Sequence, residues 1–256
     1  MATVGELTEA YTNLLVRPAA GPGVCEVCWN LTDGYDCCYP CARSERWLAA
    51  VTPISYSIAH EQLHHVLAGY KRWPAAIAAH PRRELAAILW RHLAAHESCQ
   101  AVAAGVTGFD LITTVPGGTI ERDRDQPLRL IVGEAVGPTR GRYLRLLVRS
   151  EAKVAPRCFD PERFTPTRPL DGEAVLLIDD TWTSGASAQS AAAVLRSAGA
   201  GLVSALVMGR HVSRGWRGND RHLRRLESPF DWSGCVHCAA AAAARPPSRP
   251  GAQIRS

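Results

Sequence analysis

The sequence predicts an α/β fold: a mostly parallel sheet flanked by helices, with a small N-terminal appendage rich in cysteine. Three observations carry that expectation. The apolar run Ala174–Ile178, the helical stretch Ala186–Ser197 and the apolar run Leu202–Met208 follow one another, with Gly199 and Gly201 turning the chain before the last. That is the spacing of a βαβ unit, whose crossover is expected to be right-handed and whose strands are expected to be parallel. Phe109-Asp-Leu-Ile-Thr-Thr-Val115 is short, rich in β-formers and closed by Pro116-Gly117-Gly118, so it reads as a central strand feeding a tight loop. Five of the nine cysteines fall between Cys25 and Cys41.

The other elements follow in order. Residues 1–24 hold a short helix and then the breakers Pro18, Gly21, Pro22 and Gly23. A short helix is expected around Arg43–Ala50 and another over Ala59–Tyr70, where Leu63, Leu67 and Tyr70 recur at helical spacing. A third, over Arg82–His96, places Leu85, Ile88, Leu89 and Leu93 on one side. These helices carry no obvious chemistry and read as a cover for the sheet. A helix around Leu128–Val136 and a strand at Tyr143–Val148 come next, and four prolines make residues 153–171 an irregular excursion able to act as a lid. The expected organisation is an N-terminal segment 1–50, a helical cover 51–108, an α/β core 109–235 and a disordered tail 239–256.

With 256 residues and 46% hydrophobic content, one substantial core is affordable and a disordered chain is excluded. The net charge of +5 suits an anionic ligand, yet nine arginines against Asp220, Glu227 and Asp231 lie from Arg210 onward. The basicity therefore belongs mainly to the C-terminal region. Nothing has the order of a secretory signal, and no run approaches the roughly 20 apolar residues that span a bilayer, so a cytoplasmic location is the expectation.

Asp179 and Asp180 stand where Ala174–Ile178 ends. Adjacent carboxylates are costly to bury unless their acceptors are used, and the vicinal hydroxyls of a ribose use them well. Thr183, Ser184 and Ser187 then offer hydroxyls, and Gly185 lets successive N–H groups turn inward at the start of the Ala186–Ser197 helix. Such a nest suits a phosphate. The blander alternative is a surface turn followed by an ordinary helix cap.

The run Val175-Leu-Leu-Ile-Asp-Asp-Thr-Trp-Thr-Ser-Gly-Ala-Ser187 closely resembles the phosphoribosyl-pyrophosphate signature of the type I phosphoribosyltransferases. By that resemblance Asp179 and Asp180 contact the ribose hydroxyls. Thr181, Trp182, Thr183, Ser184, Gly185, Ala186 and Ser187 wrap the 5-phosphate, with Trp182 at a variable position. Pro116, Gly117 and Gly118 match the family's pyrophosphate loop, and Arg122, Arg124 and Lys153 are candidates for the diphosphate. Together with the cysteine-rich N-terminus, the arrangement looks like the ComF/GntX branch, although the Gly-Phe-Asn-Gln step usual after the pyrophosphate loop is missing. The resemblance implies a type I phosphoribosyltransferase-like core that binds phosphoribosyl pyrophosphate with Mg²⁺ and transfers its ribosyl phosphate to a nitrogenous acceptor. That branch is linked to DNA uptake or to carbon metabolism, and DNA-processing partners and a homodimer are further expectations. The alternative is a non-catalytic nucleotide-binding or DNA-uptake accessory protein.

Cys25-Glu-Val-Cys28 and Cys38-Tyr-Pro-Cys41 are two CxxC hooks able to complete a tetrahedral, structural Zn²⁺ site, with Cys37 spare. Cys235-Val-His-Cys238 is a third hook that either binds a second metal with Cys158 or His211, pairs with a partner chain, or is idle; Cys99 and Cys158 read singly as core cysteines. His60, His64, His65, His92 and His96 read as satisfied or solvent-facing. The stretch Arg210–Arg225, with Trp216, reads either as a solvated face or as a contact for single-stranded nucleic acid.

Overall fold

A computed structural model describes residues 2–243, and its centre is a four-stranded, wholly parallel sheet. The strands are β1 (Val51–Ile58), β2 (Leu111–Thr114), β3 (Leu147–Arg149), β4 (Phe164–Pro166), β5 (Ala174–Trp182) and β6 (Leu202–Val212). The helices that position the site are α1 (Gln62–Gly69), α2 (Ala75–Ala104), α3 (Ile120–Arg124), α4 (Ala186–Ser197) and α5 (Val236–Ala243). The central sheet has the order β1-β6-β5-β2, whereas β3 and β4 form a separate antiparallel pair.

The chain crosses the whole sheet from β1 to β2 through α1 and α2, then returns through β5, α4 and β6. Right-handed crossovers in opposite directions put the two sets of helices on opposite faces. The packing agrees. Leu176, Ile178, Leu206 and Met208 meet Leu85, Ile88 and Leu89 of α2, while Val175, Leu177, Val203 and Val207 meet Ala188, Ala191, Ala192 and Leu195 of α4. Covered on both sides, β5 reads as a continuous apolar run instead of an alternating one.

Several expectations change here. Residues 51–58 belong to the sheet and not to a helical cover: β1 is an edge strand parallel to β6, with Val51 opposite Ala205 and Ile58 opposite Val212. Pro53 masks it in the sequence, but an edge strand tolerates proline. No helix spans Arg43–Ala50; the helix there is Tyr39–Arg43, ending as Ser44 turns extended. The helix expected at Arg82–His96 is the 30-residue α2, which holds Pro81 near its start and ends at Gly105 in the left-handed region. Residues 153–171 are only partly irregular. Their second half is tied down by β4, by buried Arg163 and Phe164, and by the Asp160 N–H donating to Ser190 Oγ at 2.9 Å. Helix α5 extends to Ala243, into the stretch expected as tail, and residues 244–256 lie outside the described residues.

Leu176 is fully buried between β5 and the α2 face. Leu176→Ala is expected to cost about 2–5 kcal/mol, through lost burial and the cavity left behind, read from the shift in urea midpoint at unchanged slope.

Candidate functional site

β5 outruns the expected end at Ile178 and continues to Trp182, so Asp179 and Asp180 lie within its carboxyl-terminal part, Asp179 in register with Val207, and as successive strand residues they point to opposite faces of the sheet. Asp180 is 3% exposed and turns toward the helix α1 side, where Tyr70 Oη donates to its Oδ2 at 2.6 Å and Lys71 Nζ forms an ion pair with the same oxygen. Burial works against the charge on Lys71, but attraction to Asp180 and Asp179 outweighs it and holds the ammonium above the ordinary lysine range. Burial, reinforced by Asp180, raises Tyr70 far enough that its phenol stays a donor. The Asp180 N–H donates to Asp179 Oδ1 at 2.9 Å. Asp179 is pushed up to about 7, first by burial and then by its neighbour's charge, against the pull of Lys71.

Past Trp182 the chain turns into α4. Gly185 has φ +84° and caps α4; a Cβ there would lie 2.2 Å from the Trp182 ring. Trp182 itself is 2% exposed and packs on the α4 side of the sheet, so its indole supports the loop from beneath and the side chain does not face a ligand. Among the described residues the N–H groups of Thr183, Ser184 and Gly185 have no protein acceptor, while the Ala186 N–H donates to Ser184 Oγ at 3.4 Å. Ser187 lies in the first turn of α4.

The loop after β2 faces this turn. Gly117 N donates to Asp123 Oδ1 at 3.2 Å, and a Cβ on Gly117 would come within 2.6 Å of the α3 backbone at Arg122 and Asp123. Only glycine fits that approach. Buried Asp123 also accepts from Arg145 Nη2 at 2.7 Å and from the Arg149 N–H at 3.0 Å, so α3 and β3 hold the loop in place. Pro116 is buried beneath it.

Between the loops lies a crevice of about 600 Å³ lined by Asp180, Thr181 and Thr183, by Gly117, Gly118 and Arg122, and by Lys71, Arg72 and Arg157. Glu121, Asp125, His64 and His211 share its wall. Thus the two loops singled out in the sequence meet at one cavity. Ser184 to Ser187 continue the loop beyond its lining. Lys153 opens instead onto a neighbouring cavity that shares Gly118 and Glu121, and Arg124 lines neither, its carbonyl accepting from Arg129 Nη2. Lys71, Arg72, Arg157, His64 and His211 were not expected there. Only the rarity of Lys71, one of two lysines, set any of them apart. The rings of His64 and His211 lie 5.2 Å apart, and burial holds both below the ordinary histidine range.

Cys25, Cys28, Cys38 and Cys41 form a buried cluster with all ligand atoms within 4.8 Å of one another, and the Cys28 and Cys38 sulfurs are 3.6 Å apart. Sulfurs on a tetrahedral zinc stand about 3.8 Å apart, so the donor set and its spacing suit a structural zinc. Hydrogen bonds from Cys28, Cys38 and Cys41 hold Cys25 far below the ordinary thiol range. Cys37 stays outside, accepting from Arg46 Nη2 at 3.5 Å. Buried Arg210 joins this segment to the crevice, donating to the carbonyls of Cys28 and Trp182 at 3.2 Å each. In the basic stretch beyond it Arg214 pairs with Glu61, Asp220 and Glu227, and Arg224 with Asp220, whereas Arg217, Arg221 and Arg225 are exposed and form no ion pair among the described residues.

No protein-family model matches the chain, and no curated protein matches it. Among solved structures it shows a partial likeness to the crystal structure of a phosphoribosyltransferase from Corynebacterium diphtheriae. Identity is 19%, the TM-score 0.35, and the alignment covers 88% of this chain and 90% of that one. No helix among the described residues is long and apolar enough to cross a membrane.

Removing the cation beside Asp180 leaves a buried charge without its partner. Lys71→Met is expected to destabilise the fold by roughly 1–3 kcal/mol, less than a dry pair because the Lys71 side chain is 39% exposed. Chemical denaturation at neutral pH measures it, and Lys71→Arg should recover most of the loss.

Proposed function

We propose that the crevice binds phosphoribosyl pyrophosphate with Mg²⁺ and transfers the ribosyl phosphate to a nitrogenous acceptor. What carries the reading is the meeting, across one cavity, of buried Asp180, of Thr181 and Thr183 on the way to the glycine-capped start of α4, and of a second glycine loop flanked by Arg122; Asp179 lies next to Asp180, outside the cavity's lining. Carboxylates accept from vicinal hydroxyls. The open N–H groups of Thr183 to Gly185 and the positive end of α4 suit the 5-phosphate. The Gly117–Gly118 loop, with Arg122, Lys71, Arg72 and Arg157 around it, suits a diphosphate.

Oxygen donors are what magnesium takes, and Asp179 has no ion-pair partner among the described residues. Bound with the ligand, magnesium would offset charge on the diphosphate and ribose oxygens. The chain's own part is placement and charge compensation. Asp179 and Asp180 hold the sugar, the α4 turn holds its phosphate end, and the arginines neutralise the leaving diphosphate. His64 and His211, kept neutral by burial, are positioned in the same wall to accept the acceptor's proton.

Calorimetry with phosphoribosyl pyrophosphate and Mg²⁺ tests binding; a silent titration would end this reading. In the double variant Asp179→Asn, Asp180→Asn the heat should vanish while the fold persists by circular dichroism.

A pH series gives a second check. Because Asp179 lies near 7 when the site is empty, a ligand that needs its charged form binds best above that value. Affinity should fall about tenfold from the plateau to one pH unit below 7. The ligand's own phosphates titrate identically against Asp179→Asn, so the protein's share is the part of the slope that this variant loses.

A further inference from the structure

The third cysteine hook finds partners the sequence does not suggest. Cys235 and Cys238 open helix α5, while His96 and Cys99 lie one turn apart near the end of α2. One ligand atom from each of the four falls within 4.8 Å of all the others. The sulfurs of Cys235 and Cys238 are 3.5 Å apart and those of Cys99 and Cys238 3.6 Å. His96 Nδ1 lies 3.8 Å from the Cys99 sulfur and 3.9 Å from that of Cys238. Ligands on a tetrahedral zinc, at about 2.3 Å for sulfur and about 2.1 Å for nitrogen, are separated by about 3.6–3.8 Å. The four atoms already stand near that spacing. Neither Cys158, which is exposed, nor His211, which lines the crevice, belongs to the group.

The imidazole is set for the same task. His96 Nε2 lies 3.0 Å from the Trp232 carbonyl oxygen, an acceptor only, so Nε2 carries the proton and donates it. That tautomer leaves the Nδ1 lone pair directed at the sulfurs, the outer-shell arrangement that orients metal-bound histidines. His92, one turn earlier, is buried and offers no atom to the group of four.

We propose that His96, Cys99, Cys235 and Cys238 bind a second zinc ion, a Cys₃His centre separate from the N-terminal four-cysteine group. Four protein ligands leave no open position, so the role is structural. The ion fastens the C-terminal helix to the long helix of the core across 139 residues of sequence, a long loop to close. The clasp also bears on the N-terminal segment. His237, between the two hook cysteines, places Nε2 2.7 Å from Thr52 Oγ1 on β1, and its ring meets Trp29 edge-on with centroids 5.5 Å apart. Trp29 lies next to Cys28 in sequence and donates Nε1–H to the Val51 carbonyl at 2.7 Å. The two centres thereby bracket the edge strand β1.

The test is metal stoichiometry of the full chain, purified under reducing conditions and exchanged into cobalt(II), with content measured by plasma mass spectrometry. Two equivalents per chain are expected, with thiolate-to-cobalt charge-transfer absorption consistent with seven thiolates in total. Cys25→Ser, Cys28→Ser should retain one equivalent with a three-sulfur spectrum; Cys235→Ser, Cys238→Ser should retain one with a four-sulfur spectrum. Should either pair of substitutions prevent folding, His96→Cys decides in its place, because it keeps two equivalents and shifts the second centre to four sulfurs. One equivalent in the wild type, assigned by its spectrum to the N-terminal cysteines, overturns the proposal.

Discussion

The crevice depends on a carboxylate that the fold buries. Asp180 sits at the carboxyl end of β5 and is almost wholly removed from water. A charge there is tolerated only with a partner, and the two residues after α1 supply one in Lys71 and a hydrogen-bond donor in Tyr70, both on Oδ2. That requirement places the end of α1 over the strand. Gly209 of β6 makes the approach possible, since a Cβ there would lie 2.7 Å from Leu67. The same arrangement leaves Asp179 as the carboxylate without a cation of its own, and burial beside Asp180 is what raises it.

The loops on either side of Asp180 are held by different means suited to the same end. After β5, the buried Trp182 ring fills the space that a side chain on residue 185 would need, so the turn lies flat on an aromatic support. After β2, buried Asp123 collects an N–H from the loop, an arginine and a backbone N–H from β3. Both devices fix the loops from beneath, and after β5 the N–H groups of Thr183, Ser184 and Gly185 are left without a protein acceptor among the described residues.

The cysteines secure the periphery. The N-terminal hooks dock through Arg210, whose guanidinium reaches the carbonyls of Cys28 and Trp182, so the cysteine segment and the crevice loop share one buried cation. The basic C-terminal stretch, expected as either a solvated face or a single-stranded nucleic-acid contact, is divided by the fold: Arg210 and Arg214 are engaged inside the molecule, whereas Arg217, Arg221, Arg224 and Arg225 are exposed beside Trp216. Charge counted along a sequence says little about charge available at a surface.

Elements whose signal is local were legible from the sequence alone. The β5–α4–β6 unit, the parallel direction of its strands, the two CxxC hooks and the Asp-Asp loop all follow from spacing within a few tens of residues, and helix Ala186–Ser197 agrees to the residue. Strand β1 was not legible, because Pro53 breaks its local pattern and only pairing with β6 makes it a strand. The crevice cations Lys71, Arg72 and Arg157 come from segments with no motif. The grouping of His96 and Cys99 with Cys235 and Cys238 joins residues more than a hundred positions apart. Local periodicity and motif spacing are properties of the chain; which distant side chains share a cavity or a set of ligand positions is decided by the crossovers that bring their elements together.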